Sequence, residues 1–326
     1  MARRSKLFLD FQSALAHLRK DELSSSIISA LSNPTRQNVA AFVQTWAQLP
    51  AELRRRAAQM MVELAEENIE LDFNPLFRHL LNDGDARVRA LGIEGLWEDE
   101  DPALVKPLVG FLRSDPDARV RAVAADALGR FALLAEYNRL PKSPHAEMIC
   151  DALFAAIDSE REDLTVRCRA VEALGYSSRA GIREAIAAAY QDDAAEMRAS
   201  AIAAMGHTAD SYWGKTAAQE LDSPDPRMRY YAARAMGELE FRAAVPRLIE
   251  MLDDSDREVQ GVAIAALGQI GGKEAKAALQ RVAASDDEAA RELAEEALQE
   301  LQFASDPNFL LFDLELEDEW REDAEE

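Results

Sequence analysis

The chain has 326 residues, room for two compact domains or one elongated array, and is 48% hydrophobic but only 7% aromatic, an alanine-rich composition that favours closely stacked helices. A net charge of −23 argues against a nucleic-acid partner, whose phosphates require a Lys/Arg surplus. No apolar run approaches the roughly 18 residues of a membrane span, and Cys150 and Cys168, too few for a disulfide framework or zinc site, read as buried, reduced thiols.

Residues 1–70 read as helical but off-pattern, two degenerate hairpins that cap an array whose terminal units need a polar outer face. The basic start is interrupted by Asp10 and Gln12 before a signal-peptide core could form, which makes the cytoplasm the expected compartment. Leu7, Phe8, Phe11, Leu15 and Leu18 have helical spacing and are expected in the core. Residues 1–60 carry nine Lys/Arg against four Asp/Glu, whereas 307–326 carry one against nine.

Residues 71–304 hold a repeat. Asp, two variable residues, Val, Arg, two variable, Ala, two variable, Ala-Leu-Gly begins at Asp85, Asp117, Asp163, Ala194, Asp225, Asp256 and Asp287, at spacings of 32, 46, 31, 31, 31 and 31 residues. Val88, Val120, Val166, Met197, Met228 and Val259 precede a small residue by four positions and a Leu or Met by eight, one apolar stripe on a helix. The small residues (Gly92, Ala124, Ala170, Ala201, Ala232, Ala263 and Ala294) let neighbouring helices approach. The leading Asp is an N-cap signal. Gly129, Gly175, Gly206, Gly237 and Gly268 fall near the helix end, where a left-handed cap is often needed. A second amphipathic segment precedes each motif, and Pro75, Pro107 and Pro246 lie near its start, where a missing N–H costs little. Each unit is therefore a helical hairpin, stable only when stacked.

This pattern closely resembles the HEAT-like repeat named after the phycobilisome (PBS) lyases, over about residues 70–300. The resemblance implies an all-α fold, a right-handed α-solenoid of stacked HEAT-like helical hairpins. It also implies an Asp–Arg ladder between neighbouring units, through Arg89, Arg121, Arg167, Arg198, Arg229 and Arg291, weaker where Ala194 lacks the Asp and Gln260 lacks the Arg.

The 46-residue gap contains an insertion near 131–148, in which Pro141, Lys142, Ser143 and Pro144 mark a loop. It is either a partner contact or a lengthened helix with a tolerated loop. The tail, 305–326, begins with the stop Asp306-Pro307. Phe309–Phe312 are expected to fold as an end cap, and the acidic-hydrophobic stretch beyond has the composition of a docking peptide, in cis or in trans.

In arrays of this type the second helices line the concave face. Variable motif positions then place Arg119, Asp126, Arg130, Arg169, Glu172, Tyr176, His207, Arg227, Tyr230, Tyr231 and Arg234 outward, a locally basic, tyrosine-bearing stretch of the kind enriched at binding hot spots. Catalytic signals are missing. The four histidines are not followed by Glu, unlike the repeated His-Glu pairs by which deoxyhypusine hydroxylase holds its irons, and there is no Walker loop, nucleophile elbow or HExxH pair. The expected function is a non-catalytic scaffold or adaptor for a protein or peptide, with no cofactor, no metal, no nucleic acid and no membrane. The alternative is a lyase-like or chaperone-like accessory acting on a partner protein.

Overall fold

The structure, a computed structural model, describes residues 9–137, 140 and 144–304. Leu7, Phe8, Pro141, Lys142, Ser143 and the tail 305–326 lie outside the described residues, and with them the expectations placed there. The chain forms two compact units, Met1–Ser177 and Ser178–Glu326. Among the described residues there is no strand, and each unit is built from stacked helices, an all-α solenoid fold.

The first unit contains α1 (Phe11–Leu18), α2 (Ser25–Ser29), α3 (Arg36–Trp46), α4 (Ala51–Glu67), α5 (Asn74–Leu80), α6 (Ala86–Glu94), α7 (Val105–Ser114), α8 (Ala118–Glu136), α9 (His145–Ile157) and α10 (Leu164–Leu174). The second contains α11 (Ile182–Tyr190), α12 (Ala195–His207), α13 (Gly214–Ala218), α14 (Pro226–Glu238), α15 (Val245–Glu250), α16 (Arg257–Ile270), α17 (Gly272–Ala283) and α18 (Glu288–Ala304). Within each unit, second helices stack on second helices: α4, α6, α8 and α10 in one row, α12, α14, α16 and α18 in the other.

The motif stripe makes these rows. Val88, Val120, Val166, Met197, Met228 and Val259 are buried, as are Ala124, Ala170, Ala201, Ala232, Ala263 and Ala294. Each buried Val, Leu or Met side chain contributes about 1.5–3 kcal/mol relative to exposure, and an isolated hairpin would leave half of that stripe in water. Phe11, Leu15 and Leu18 are buried too. Of the insertion, residues 131–136 lengthen α8 and bury Phe131, Ala132 and Leu134. Cys150 and Cys168 are buried, with no disulfide among the described residues.

The leading Asp caps its own helix. Asp85, Asp117, Asp163, Asp225 and Asp256 accept from backbone N–H groups in the first turn, whereas Ala194 leaves α12 without a side-chain cap. The ladder differs from the expected Asp–Arg pairing: its arginines leave that Asp to the cap and, at Asp85, to Arg55. Its acceptor sits just before the next leading Asp: Arg89 binds Asp115 at 2.8 Å, Arg121 binds Glu162 at 2.7 Å and Arg229 binds Asp254 at 2.7 Å. Arg54 of α4 makes the same contact with Asp83 at 3.2 Å, an unforeseen rung in the off-pattern segment.

The same side chains also brace their own hairpin. Arg89 donates to the Asp83 carbonyl, Arg121 to that of Asp115, Arg198 to that of Asp192 and Arg229 to that of Ser223, at 2.7–3.0 Å. Gln260 keeps this half of the arrangement, donating to the Asp254 carbonyl at 2.6 Å. Arg198 lacks the carboxylate half because Ser223 stands where Asp115 and Asp254 stand in their units. The Arg229 guanidinium holds Asp254 below the usual carboxylate range. Burial pushes Asp115 up, but the bonds from Arg89 and from the Asp117 N–H outweigh it and hold the carboxyl low.

Candidate binding groove

The glycines that close the motif are not left-handed caps. Gly129, Gly206, Gly237 and Gly268 lie inside their helices, and the positive-φ glycines are Gly181, Gly271 and Gly272. Their role is close approach. A Cβ on Gly129, Gly206, Gly237 or Gly268 would stand 2.9–3.1 Å from Ala173, Ala235, Ala266 or Ala297 on the next second helix. All four alanines are consequently buried.

One hairpin breaks this rule. The motif from Asp85 ends in Trp97, in the turn that closes α6, where the next motif ends in Gly129. The alanine opposite, Ala127, is only half-buried. The Trp97 indole is instead exposed, and the surface of α8 beside it forms the floor of a hollow flanked by α6 and α10. A groove of about 720 Å³ opens, lined by Trp97, by an apolar floor that includes Ile93, Ala122, Val123 and Ala127, and by Glu94, Arg119, Asp126, Arg130 and Arg169. That volume lies within the roughly 300–1,000 Å³ of typical ligand clefts.

The charged walls are held in different ways. Arg130 donates to the Trp97 carbonyl and lies 5.0 Å from the Phe131 ring centre. Burial lowers its pKa against the pull of Asp99, Glu100 and Asp126, without taking a guanidinium out of its charged state. Arg169 binds Glu172 at 2.6 Å. Glu94 is exposed, yet crowding by the groove walls raises its pKa, Arg119 and Arg87 opposing and Glu66 and Asp126 reinforcing the shift.

Of the residues expected on the concave face, the structure gathers Arg119, Asp126, Arg130 and Arg169 around this groove. Glu172 departs from the outward position read for it: it is buried, beneath Arg169. Tyr176 is half-buried beside Gly129. The remaining candidates lie in the second unit. There Arg227 pairs with Glu196 and Asp225, Arg234 with Glu238, and Tyr230 stacks edge-on with Tyr231. His207 also departs from the outward position read for it: its side chain is only 7% exposed, 3.8 Å from Glu238. Sequence reasoning missed Trp97 and Glu94. The signal for Trp97 was a tryptophan in a glycine position, and Glu94 occupies the motif position of Asp126 one hairpin earlier.

Among the described residues no group of three or more His, Cys, Asp and Glu could hold a metal ion, and no helix is long and apolar enough to cross a membrane.

HEAT repeats match residues 73–141 and 214–299. No curated protein matches the sequence significantly. Among solved structures, the complex of CpcE and CpcF of phycocyanin lyase from Nostoc sp. PCC7120 aligns with a TM-score of 0.51 at 20% identity, over 73% of this chain and 91% of that one. Human deoxyhypusine hydroxylase aligns at 20% identity over 90% of this chain and 96% of that one, with a TM-score of 0.31. The motif periodicity, the stacked hairpins, the repeat matches and the phycocyanin-lyase alignment converge: the chain carries HEAT repeats in an all-α solenoid fold like that of the phycocyanin-lyase structure.

Proposed function

We propose that this helical-repeat scaffold binds a protein partner, taking a peptide segment of it into the groove over α8, between α6 and α10, and performs no chemistry of its own. The observation that carries this reading is Trp97 in place of glycine, together with the uncovered Ala127: an exposed indole and three arginines surround an apolar floor. Trp and Arg dominate binding hot spots because each joins a large contact area to a polar handle. The similar fold of the CpcE–CpcF complex supports a protein as the class of partner.

The test starts with proteins captured from the native host by the wild-type chain. Each is purified, and its affinity is compared for wild type, Trp97→Gly/Arg130→Ala and the second-unit variant Tyr230→Ala/Arg234→Glu. Loss of binding by the groove variant alone is expected. Equal affinity for wild type and the groove variant would remove the groove from consideration, and loss by the second-unit variant alone would move the site there. The likeness to a lyase structure also motivates a lyase-like or chaperone-like accessory role. A visible-range chromophore in protein purified from the host would favour that role.

A further inference from the structure

The groove does not stand alone. Two shallower depressions adjoin it in the first unit, of about 340 Å³ and 270 Å³. Arg119 belongs to the groove and to the nearer depression, and Arg55 and Arg87 belong to both depressions. The three hollows therefore form one track past the N-terminal ends of α6 and α8.

Glu94, Asp126 and Asp163 line the groove itself, Asp163 capping α10, and the acids of the two depressions are committed. Asp85 caps α6 and binds Arg55, Asp117 caps α8, and Glu52 binds Arg55. Arg87 and Arg119 are different: both are exposed, and their interaction with an acid is the longer-range pull on Glu94 rather than a close ion pair. In a chain with 60 Asp and Glu, these two exposed guanidinium groups, with Glu94 as the carboxylate that feels both, are positions where a partner's carboxylate could pair more closely. The helix N-termini beside them add positive potential of their own.

We propose that this track receives an extended acidic segment of a partner protein, with one apolar side chain seated on Val123 and Ala127 beside Trp97. The proposal rests on the groove reading above and adds the partner's chemistry to it. Carboxylates of the segment lie against Arg87 and Arg119. Stacked helix axes sit about 8–10 Å apart, and an extended strand advances about 3.3 Å per residue, so acids about three residues apart meet successive guanidinium groups.

The experiment is fluorescence anisotropy with the full chain and three labelled synthetic peptides of equal length. One carries glutamate at every third position around a central phenylalanine; the others carry glutamine or lysine at those positions. The glutamate peptide is expected to bind about tenfold more tightly than the glutamine peptide, the gain from a few exposed charge pairs. Arg87→Glu/Arg119→Glu should erase that preference, and Trp97→Gly should weaken both peptides. Circular dichroism of each variant checks that it is folded.

Equal binding of glutamate and glutamine peptides, with both lost in Trp97→Gly, overturns the acidic preference and leaves the groove in place. Tighter binding of the lysine peptide overturns it in favour of recognition by Glu94 and Asp126. Absence of binding by all three overturns the proposal. The groove reading falls with it only if the captured partner also binds Trp97→Gly/Arg130→Ala like wild type.

Discussion

Arg229 and Gln260 occupy the same place in successive hairpins and hold it with different chemistry. The guanidinium bridges a neighbour's carboxylate and its own hairpin's carbonyl, while the amide keeps only the carbonyl. Arg229 and Asp254 are largely out of water, with side chains 13% and 9% exposed, so Arg229→Ala strands a buried carboxylate and should cost about 3 kcal/mol. Gln260→Ala loses one neutral hydrogen bond and should cost about 1 kcal/mol. Urea unfolding of the two variants measures the difference. It should also depend on pH. Asp254 is held below the usual range, so its contribution is present above the unfolded carboxylate value of about 3.9 and disappears as pH falls through the folded value. Glu94 behaves in the opposite sense: crowding by its neighbours raises its pKa, so the folded state loses a little stability as pH rises through the window above the unfolded value, the loss being small because the side chain is exposed and solvent screens it. Glu94→Gln should therefore be slightly more stable than wild type at neutral pH and equal to it in acid, as thermal unfolding across pH would reveal. Ser223 marks an incomplete rung: Ser223→Asp should pair with Arg198 and raise the melting temperature.

Helix by helix, one motif position differs between the closed joints and the groove. Gly237→Ala would press a Cβ to 3.0 Å from the Ala266 Cα, and overpacking of this kind costs about 1–3 kcal/mol. Trp97→Gly removes an exposed side chain instead, so its melting temperature should stay near that of wild type while binding is lost. Much of this was legible in the sequence: the stripe from Val88 to Ala294, the N-capping Asp, and four of the residues around the groove follow from helical periodicity. The closing glycine was legible but misread, because a cap and a close approach leave the same residue at the same place. Glu172 was misread for a related reason. Its motif position faces outward only where the next side chain does not cover it, and Arg169 does.

At the scale of the molecule, repeat arithmetic shows the fold but not its division. Asp163 and Ala194 are 31 residues apart, as the later motifs are from each other, although Ser177 ends one compact unit and Ser178 begins the next. A boundary between units changes which surfaces meet without changing the period of either helix, so spacing cannot mark it. The candidate face was similarly read as one continuous patch, whereas its members fall in both units. An acidic chain that leaves arginines exposed in one groove is also sensitive to salt. Binding that depends on Arg87 and Arg119 should weaken steadily as ionic strength rises, the attraction being screened over about 10 Å at 0.1 M salt, and titrations at several salt concentrations would measure the slope.

The carbonyl brace has a consequence for how such chains can lengthen. Arg89, Arg121, Arg198, Arg229 and Gln260 each hold the turn leading into their own helix, so a duplicated stretch of gene carries its fastener with it. Such a hairpin is secured internally whether or not the flanking hairpin offers a carboxylate to its arginine. Arg198, opposite Ser223, and Gln260 are joints of that kind, in which the hold within the hairpin is kept without the bond to its neighbour.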